Sequence, residues 1–518
     1  MKTSWKRPAA LLLAGLCSWM AVAQEVSLVI LHTADMHGNL LGAGVIPSSR
    51  TSGGLMRCAT LIEKIRGETG NVLLLDCGDI FQGSPESFYS KGMVVADAVR
   101  LLEYDALVVG NHEFDWGLEQ LMSFYQRACV PALAADILIA GDAPDSASAS
   151  RPAYLQPFII REYEGLRVAV IGLSNPHIPH WFQADKLGNL AFMDSVEALR
   201  AILPYVREKQ PHLIILAAHQ GYRSFGDNPA NRINAIALNF PEIDLIIGAH
   251  THDPQAVEAV RGIMYTQSGP YGKSLGRVDL TFDLQQRQIT ARSARLIEIT
   301  DDVPRAPYLE KELAEPLHLA MEAMDEVIGA ARHDIGPRPA QPGQSAVQSL
   351  IAEAVARSTR ADVVLHGTLS DATLYEGPVR GRDIWSLVPY ENNIWLADLT
   401  AAEIREILEE NAGYFGSSQF RGIYGATYDL DLRGAAPRVE RLNICSRPAE
   451  AATRYTVAIN SFDAASAGGR LPRLRTIIEK PSSRARDTGR DTRGILLEFV
   501  RDNSPVAITP AAGAVTQR

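Results

Sequence analysis

The strongest constraint on the fold is an alternation of short apolar runs and amphipathic segments over the first half of the chain. Six apolar runs have the length and composition of buried parallel strands: residues 26–32, 72–77, 106–109, 168–173, 213–218 and 245–248. Between them, segments such as 53–67 and 195–210 have the spacing of amphipathic helices. The alternation predicts an α/β domain with a largely parallel sheet flanked by helices.

The second half of the chain has a different pattern. Residues 277–299 alternate like an antiparallel hairpin, and residues 308–331, rich in Ala, Glu, Leu and Met, predict one long helix. The Pro- and Gly-rich segment 336–344 then marks a boundary. Beyond it we predict a smaller α+β domain, with helices at 346–357 and 401–412 and strands at 427–431 and 455–459.

The N-terminus has the pattern of a secretory signal peptide. Three cations precede an apolar run that ends in Ala21-Val22-Ala23, which predicts cleavage between Ala23 and Gln24 and a periplasmic or secreted protein. An uncleaved anchor is the alternative. Because the apolar run is shorter than the roughly 20 residues of a membrane-spanning helix, we expect no stable membrane anchor.

The composition limits the classes of partner that the protein is expected to bind. The net charge of −10 makes nucleic acid an unexpected partner, and an anionic substrate would need metal ions or a few local arginines. The five cysteines lack the spacing of a zinc cluster or a disulfide scaffold and leave any pairing undetermined. No protein partner is predicted. The predicted order is a signal peptide (1–23), first domain (24–304), helical linker (305–345), second domain (346–503) and disordered tail (504–518).

Polar side chains follow five of the predicted strands at the point where each strand ends. These candidate ligands are Asp35, His37, Asp79, Asn111, His219, His250 and His252. In an open parallel sheet such residues converge at one edge, where ligands collect. Each of them alone could be a turn residue or an ordinary polar group, but together they indicate a metal site.

Carboxylate, amide and imidazole ligands suit Mn, Zn, Co, Fe or Mg and leave the identity of the metal open. Two ions fit the number of ligands better than one. The first would be held by Asp35, His37, Asp79 and His252, and the second by Asp79, Asn111, His219 and His250. Asp79 would bridge the two ions, as in two-metal hydrolases.

Five segments, "DMHG", "GDIFQGS", "GNHEFDWG", "AAHQG" and "GAHTH", resemble the secreted 5'-nucleotidase family of dimetal metallophosphoesterases. The likeness covers about residues 26–475. It implies a four-layered metallophosphoesterase sandwich followed by a smaller α+β substrate-binding domain, and cleavage of a phosphoric ester by a metal-bound hydroxide. It also implies a catalytic dyad, in which His112 stabilises the phosphoryl group and the leaving oxygen while Asp115 orients the imidazole. On sequence alone, Asp115 could instead be a helix cap.

The second domain follows the family less completely. Its segments "SSQFRGIYGATYDL" and "INSFDAASAGGRLPRL" resemble those that each supply a phenylalanine to sandwich a nucleobase, here Phe420 and Phe462. The family arginine has no counterpart in residues 366–374, Arg470 stands where the family has an aspartate, and Gly422 stands where it has an asparagine. Arg470 or Arg421 would then have to bind the anionic part of the substrate.

The chain is therefore expected to be a phosphoric ester hydrolase acting on a small-molecule phosphoester. A 5'-nucleotidase or a nucleotide-sugar hydrolase is the first interpretation. The alternatives are a dimetal hydrolase of a cyclic nucleotide, a sugar phosphate or a sulfur ester, and a non-catalytic secreted binding protein. The binding protein is disfavoured because every candidate ligand position is filled.

Overall fold

The structure, a computed structural model, describes residues 24–42, 53–141, 150–339, 341–510 and 515–517. The predicted signal peptide lies outside these residues. In the described part of the chain, no helix combines the length and apolar character needed to cross a bilayer.

The first domain contains two large β-sheets. In spatial order, the first sheet consists of Gln288–Glu298, Ser274–Asp283, Glu25–Thr33, Val72–Asp76, Ala106–Val108, Ala132–Leu133 and Leu155–Gln156. The second consists of Gln255–Val260, Ile263–Gln267, Leu245–Gly248, Leu213–Ala218, Leu166–Leu173 and Phe158–Tyr163. The strands that carry the candidate ligands pair in parallel, and the antiparallel pairs lie toward the sheet edges. A separate ribbon pairs Ile137–Ile139 with Leu190–Phe192.

Three apolar cores separate four layers. Leu73 and Leu75 pack between the two sheets, whereas Leu74 packs against helices on the outer face of the first sheet. Because both faces of the strand Val72–Asp76 are covered, its sequence is almost continuously apolar. A third core joins the second sheet to its own helices. The predicted α/β sandwich of four layers is confirmed. Its helices are Leu55–Glu68, Pro85–Ser90, Met93–Leu102, Gly117–Ala128, Ala184–Leu187, Ser195–Glu208 and Ile233–Asn239.

The linker corrects one prediction. Residues 308–331 do not form one helix but the helices Pro307–Glu312 and Ala314–Asp325, followed by the strand Val327–Ala331. Glu326 leaves the helical conformation at φ −56° and ψ 127°. The β-branched Val327 and Ile328 then join a strand that pairs with Gly377–Arg380. The long-range pairing outweighs the helical propensity of the local sequence.

The second domain is built on a five-stranded sheet. Its strands lie in the order Gly422–Tyr424, Val363–His366, Arg454–Asn460, Asn393–Thr400 and Arg486–Asp491. A four-stranded sheet adds Arg447–Pro448, Arg438–Ile444, Ala426–Asp431 and Val515–Gln517. The helices are Ala346–Thr359, Gly381–Leu387, Ala401–Asn411, Ser461–Ala464, Pro472–Ile478 and Thr492–Asp502. The α+β character is as predicted, while the exact domain limits stay predictions.

The prediction of a disordered tail over residues 504–518 is wrong for the described part of that segment. Val506 and Ile508 are buried, and the amide of Val506 donates to the carbonyl of Ala330 over 2.8 Å. Residues Val515–Gln517 pair in parallel with Ala426–Asp431. The prediction was based on the Ala- and Pro-rich composition and overlooked short apolar stretches that pack at the edges of the second domain.

Candidate metal centre

The strand ends bring all seven predicted ligands together at one edge of the sandwich. Asp35 and His37 follow the strand Glu25–Thr33, and Asp79 follows Val72–Asp76 on the neighbouring strand. The remaining ligands follow the strands Ala106–Val108, Leu213–Ala218 and Leu245–Gly248, which carry Asn111, His219, His250 and His252. Six of the seven are buried or part-buried donors that fall into compact three-residue groups: Asp35, His37, Asp79, His219, His250 and His252.

The first group consists of Asp35, His37 and His252, whose donor atoms all lie within 4.8 Å of one another. The Nε2 atoms of His37 and His252 are 3.0 Å apart, and His252 Nε2 lies 3.5 Å from Asp35 Oδ1. His37 Nδ1 lies 3.2 Å from the carbonyl of Gln82, which can only accept, so that Nδ1 carries the proton. The Nε2 lone pair of His37 is thereby left for a cation.

The second group consists of Asp79, His219 and His250, again within 4.8 Å. His219 Nε2 lies 3.2 Å from Asp79 Oδ2 and 3.1 Å from Asn111 Oδ1. Its Nδ1 lies 2.8 Å from the carbonyl of Cys77, which fixes the imidazole as it does for His37. Asp79 also groups with His37 and His112. Asp79 therefore touches both halves of the cluster, as a bridging carboxylate must.

The electrostatics of the cluster favour a cation. Burial opposes the charge on Asp79, but nearby histidines, His219 first, hold the pKa of this carboxyl well below its usual range. Burial lowers the pKa of His37 to about 4 and that of His250 to about 3, so these imidazoles are neutral. A buried carboxylate that stays ionised among imidazoles, two of which are neutral, fits a divalent metal ion.

The ligand loops are held in an uncommon backbone conformation. Non-glycine residues seldom adopt a positive φ, and such positions cluster at functional sites. Five of the seven candidate ligands have one: Asp35 (51°), His37 (48°), Asp79 (55°), His250 (71°) and His252 (54°). The surrounding fold holds these turns in place, and their side chains converge at the cluster.

Three glycines make room around the ligands. Gly78 combines φ 96° with a close approach, since a Cβ there would lie 2.7 Å from His219 Nδ1. A Cβ on Gly110 would lie 2.3 Å from Asp79 Oδ1. A Cβ on Gly248 would overlap the hydroxyl of Tyr265. At Gly110 and Gly248 the requirement is space beside the site, whereas at Gly78 it is also the turn.

Glu113 is a supporting residue that the sequence analysis missed. Its buried carboxylate accepts hydrogen bonds from the backbone amides of Asp79 (2.9 Å), Ile80 (2.8 Å) and Gly110 (2.6 Å). Burial, aided by the charge on Asp79, raises its pKa to about 7. The only sequence signal was its place in "GNHEFD", which did not reveal that it ties two ligand loops together.

The two residues of the predicted dyad, His112 and Asp115, are in contact. His112 Nδ1 lies 2.8 Å from Asp115 Oδ2, and the backbone amide of His112 donates to Asp79 Oδ1 over 2.7 Å. Burial disfavours a charged imidazole, but the carboxylates of Asp115 and Asp79 outweigh it and raise the pKa of His112 to about 10. The raised pKa favours the charged form of the His112 imidazole.

A cleft of about 1090 Å³ runs from the metal cluster to the second domain. The predicted residues in its lining are Asn111, His112, Asp115, His250, Arg421, Phe462 and Arg470. Thr368, Leu369, Ser370 and Asp371 line it where the family arginine was expected. The hydroxyl of Ser370 donates to the carbonyl of Ser386 over 2.6 Å, which is a structural contact.

Two predicted substrate residues are placed differently from expectation. Phe420 is 3% exposed, packs in the core of the second domain edge-on to Phe415, and does not line the cleft. The prediction that it stacks on a base is wrong for this structure. Arg421 lies in the lining but forms a two-point ion pair with the buried Asp463, with both N–O distances 2.8 Å. Its charge is largely neutralised there.

Known proteins share this architecture. Residues 28–254 match the calcineurin-like phosphoesterase family, and residues 327–475 match the 5'-nucleotidase C-terminal domain family. The trifunctional nucleotide phosphoesterase YfkN of Bacillus subtilis is 24% identical over 490 residues, which cover 85% of this chain but 32% of YfkN. The chain thus spans about a third of that relative.

A 5'-nucleotidase of Vibrio cholerae is 24% identical over 534 residues, with 94% of this chain and 92% of that protein covered. A solved Staphylococcus aureus structure, assigned as a 5'-nucleotidase in complex with alpha-ketoglutarate, has a TM-score of 0.78 at 21% identity. It covers 95% of this chain and 100% of that one and supports the fold. The chain therefore belongs to the metal-dependent phosphoester hydrolases that join a calcineurin-like phosphoesterase domain to a 5'-nucleotidase C-terminal domain.

Proposed function

We propose that the protein is a secreted hydrolase of small nucleotide phosphoesters, acting as a 5'-nucleotidase or a nucleotide-sugar hydrolase. The observation that carries the proposal is the cleft, because it joins the cluster of buried ligands and the His112–Asp115 pair to Phe462 and Arg470 of the second domain. An ester centred on the cluster would extend toward an aromatic ring and a cation.

The first metal ion would be held by Asp35, His37, Asp79 and His252, and the second by Asp79, Asn111, His219 and His250. Two divalent ions, when bound, supply Lewis-acid activation of the phosphoryl group and of the attacking water. The donor set accommodates Mn, Zn, Co, Fe or Mg. The chain's own contribution is to fix the ligands, through the Nδ1 contacts of His37 and His219 with backbone carbonyls.

The dyad stabilises charge on the substrate. Because the Nδ1–H of His112 donates to the carboxylate of Asp115, the Nε2–H of the imidazolium is free to donate to a phosphoryl oxygen or to the leaving oxygen. The raised pKa of His112, about 10, keeps this donor charged at neutral pH. Asp115 acts through His112 and not on the substrate directly.

The second domain selects the substrate. Phe462 is half-buried in the cleft and supplies a flat face to a planar ring. The guanidinium of Arg470 lies 5.7 Å from the centroid of that ring and brings a cation to the same end of the cleft. Relatives named for nucleotide phosphoesters support a substrate of this class. Export through the predicted signal peptide gives the secreted or periplasmic location.

A substrate panel tests the proposal. Hydrolysis of nucleoside 5'-monophosphates, nucleotide-sugars, cyclic nucleotides, sugar phosphates and glycerol phosphate is followed by chromatography of the products, before and after chelation of metal. Chromatography is used because cleavage of a nucleotide-sugar or a cyclic nucleotide yields a phosphomonoester and no free phosphate. We expect nucleotides and nucleotide-sugars to be hydrolysed fastest, with activity lost on chelation and restored by a divalent ion. Preference for a sugar phosphate would overturn the substrate class, and hydrolysis of none of the esters would overturn the enzymatic proposal.

A further inference from the structure

The segment 177–181 of the first domain places an aromatic side chain in the cleft that the sequence analysis did not single out. Trp181 follows the strand Leu166–Leu173 and the short helix Ile178–His180, and its half-buried indole lines the cleft. The ring centroids of Trp181 and the metal ligand candidate His250 are 5.1 Å apart. Trp181 thus lies beside the metal cluster.

Contacts across the domain interface hold this segment against the loop that follows Phe462. The hydroxyl of Ser466 donates to the carbonyl of His180 over 3.1 Å, and Arg475 Nη1 donates to the carbonyl of Pro179 over 2.7 Å. His177 packs edge-on against Trp181 at a centroid distance of 5.2 Å. The position of the indole relative to the second domain is therefore fixed by both chain segments.

Gly468 borders the space between the two aromatic side chains. A Cβ added there would lie 3.1 Å from Trp181 Nε1 and 3.9 Å from Phe462 Cζ. These two distances set an upper limit of about 7 Å on the separation of Trp181 Nε1 and Phe462 Cζ. Gly468 has φ 68°, so a side chain there would be both strained and in the way.

We propose that Trp181 and Phe462 form an aromatic clamp across the domain interface that binds the planar ring of the substrate. The buried Phe420 is replaced in this role by a residue from the catalytic domain. This inference rests on the proposed function and names the group that sets its specificity. Stacking on a ring face tolerates different bases, so the clamp selects for a planar ring and not for one particular base.

The clamp ties substrate choice to the relation between the two domains. One ring is supplied by each domain, so the pair exists only when the domains are packed as they are here. Arg470, near the Phe462 ring, meets an anionic or hydroxyl group next to the base. A substrate that lacks a ring would reach the metal cluster without using the clamp.

Binding of adenosine to the metal-loaded full-length protein tests the clamp, because adenosine has a base and no ester to be hydrolysed. Calorimetry should show that Trp181→Ala and Phe462→Ala each weaken binding by roughly 5- to 150-fold, the range for loss of one stacking ring. Trp181→Phe keeps a ring and should retain most of the affinity. Phe420→Leu, at the buried phenylalanine, is the matched control and should bind adenosine as the wild type does.

Kinetics separate failure of the clamp from failure of the proposed function. Trp181→Ala should raise KM for a nucleoside monophosphate by a similar factor and leave kcat/KM for glycerol phosphate within about twofold. Equal loss for both esters means that Trp181 supports the metal cluster, which overturns the clamp. Adenosine binding unchanged in Trp181→Ala, absent in the wild type, or weakened as much by Phe420→Leu also overturns it. In each case, hydrolysis of glycerol phosphate by the wild type would still support the proposed phosphoesterase activity.

Discussion

His37 and His252 are 215 positions apart in the chain, yet their Nε2 atoms lie 3.0 Å from each other. Because the Nδ1 proton of His37 faces the carbonyl of Gln82, the Nε2 lone pair of His37 points toward His252, an arrangement that suits two imidazoles sharing a cation. Asp35, 3.5 Å from His252 Nε2, completes the group with a buried carboxylate. The same logic applies to the group around His219, and Asp79 connects the two.

Replacing the bridging carboxylate should empty the site. We expect Asp79→Ala to lose most of the bound metal and nearly all phosphate release, since both ions would share this ligand. Asp76→Asn is the matched control, because burial keeps the pKa of Asp76 well above its usual range and the amide mimics its protonated form. Elemental analysis of the purified proteins checks the prediction, and full metal occupancy in Asp79→Ala would contradict it.

The dyad should affect the chemical step and leave the metals in place. His112→Ala removes the charged donor and should lower kcat by roughly 100- to 10,000-fold with metal content unchanged. Asp115→Asn should cost less, because it weakens the orientation of His112 and leaves the imidazole present. Steady-state kinetics measure kcat of the variants, and elemental analysis measures their metal content. Loss of metal from His112→Ala would make His112 a ligand.

Glu113 should act on metal affinity through the loops. A Glu113→Gln side chain places an NH₂ group where the carboxylate accepts backbone amides of Asp79 and Gly110. We expect metal affinity to fall by roughly 10- to 100-fold, the range for losing a group that supports the ligands. Exposed Glu119→Gln serves as the control. Titration of metal into the chelated proteins gives the affinities, and equal values for both variants would refute the role.

Asp136 should make stability depend on pH. Burial raises its pKa to about 7, and its Oδ1 accepts the amide of Ser174 over 2.8 Å. Between the ordinary pKa of about 4 and this value, the folded state binds more protons than the unfolded state, so stability falls as pH rises. Above about pH 7 Asp136 is ionised in both states, and the loss of stability from its buried charge no longer changes with pH.

Asp136→Asn does not titrate and keeps the acceptor. Its Tm relative to wild type should increase by roughly 5 °C between about pH 5 and about pH 8. Thermal melts of both proteins at several pH values measure this difference. Asp185→Asn, at an exposed helix position, should show no such trend. A Tm difference that is constant with pH would show that Asp136 is ionised in the folded protein throughout.

Export should produce a mature chain that begins at Gln24. The cations and the small residues before Gln24 fit the signal-peptide pattern, whose cleavage removes residues 1–23. Intact-mass measurement of the protein recovered outside the cytoplasm checks the position. Retention of residues 1–23 in a membrane fraction would favour an anchor.

The strands and the metal ligands could be predicted from the sequence because their signals are local. A run such as 72–77 is apolar since both of its faces are covered, and its ligand follows directly in the chain. Val327–Ala331 was missed because its strand depends on a partner about 50 residues away. The burial of Phe420 and the approach of Trp181 to Phe462 are likewise set by packing that no local pattern reports.

The most direct test of the account is the rate of phosphate release from a nucleoside 5'-monophosphate as divalent metal is added to the chelated protein. The account predicts a negligible rate without metal and a maximal rate only when about two ions are bound per chain. Full activity in the chelated protein, or a maximum reached with one bound ion, would contradict a two-metal site bridged by Asp79.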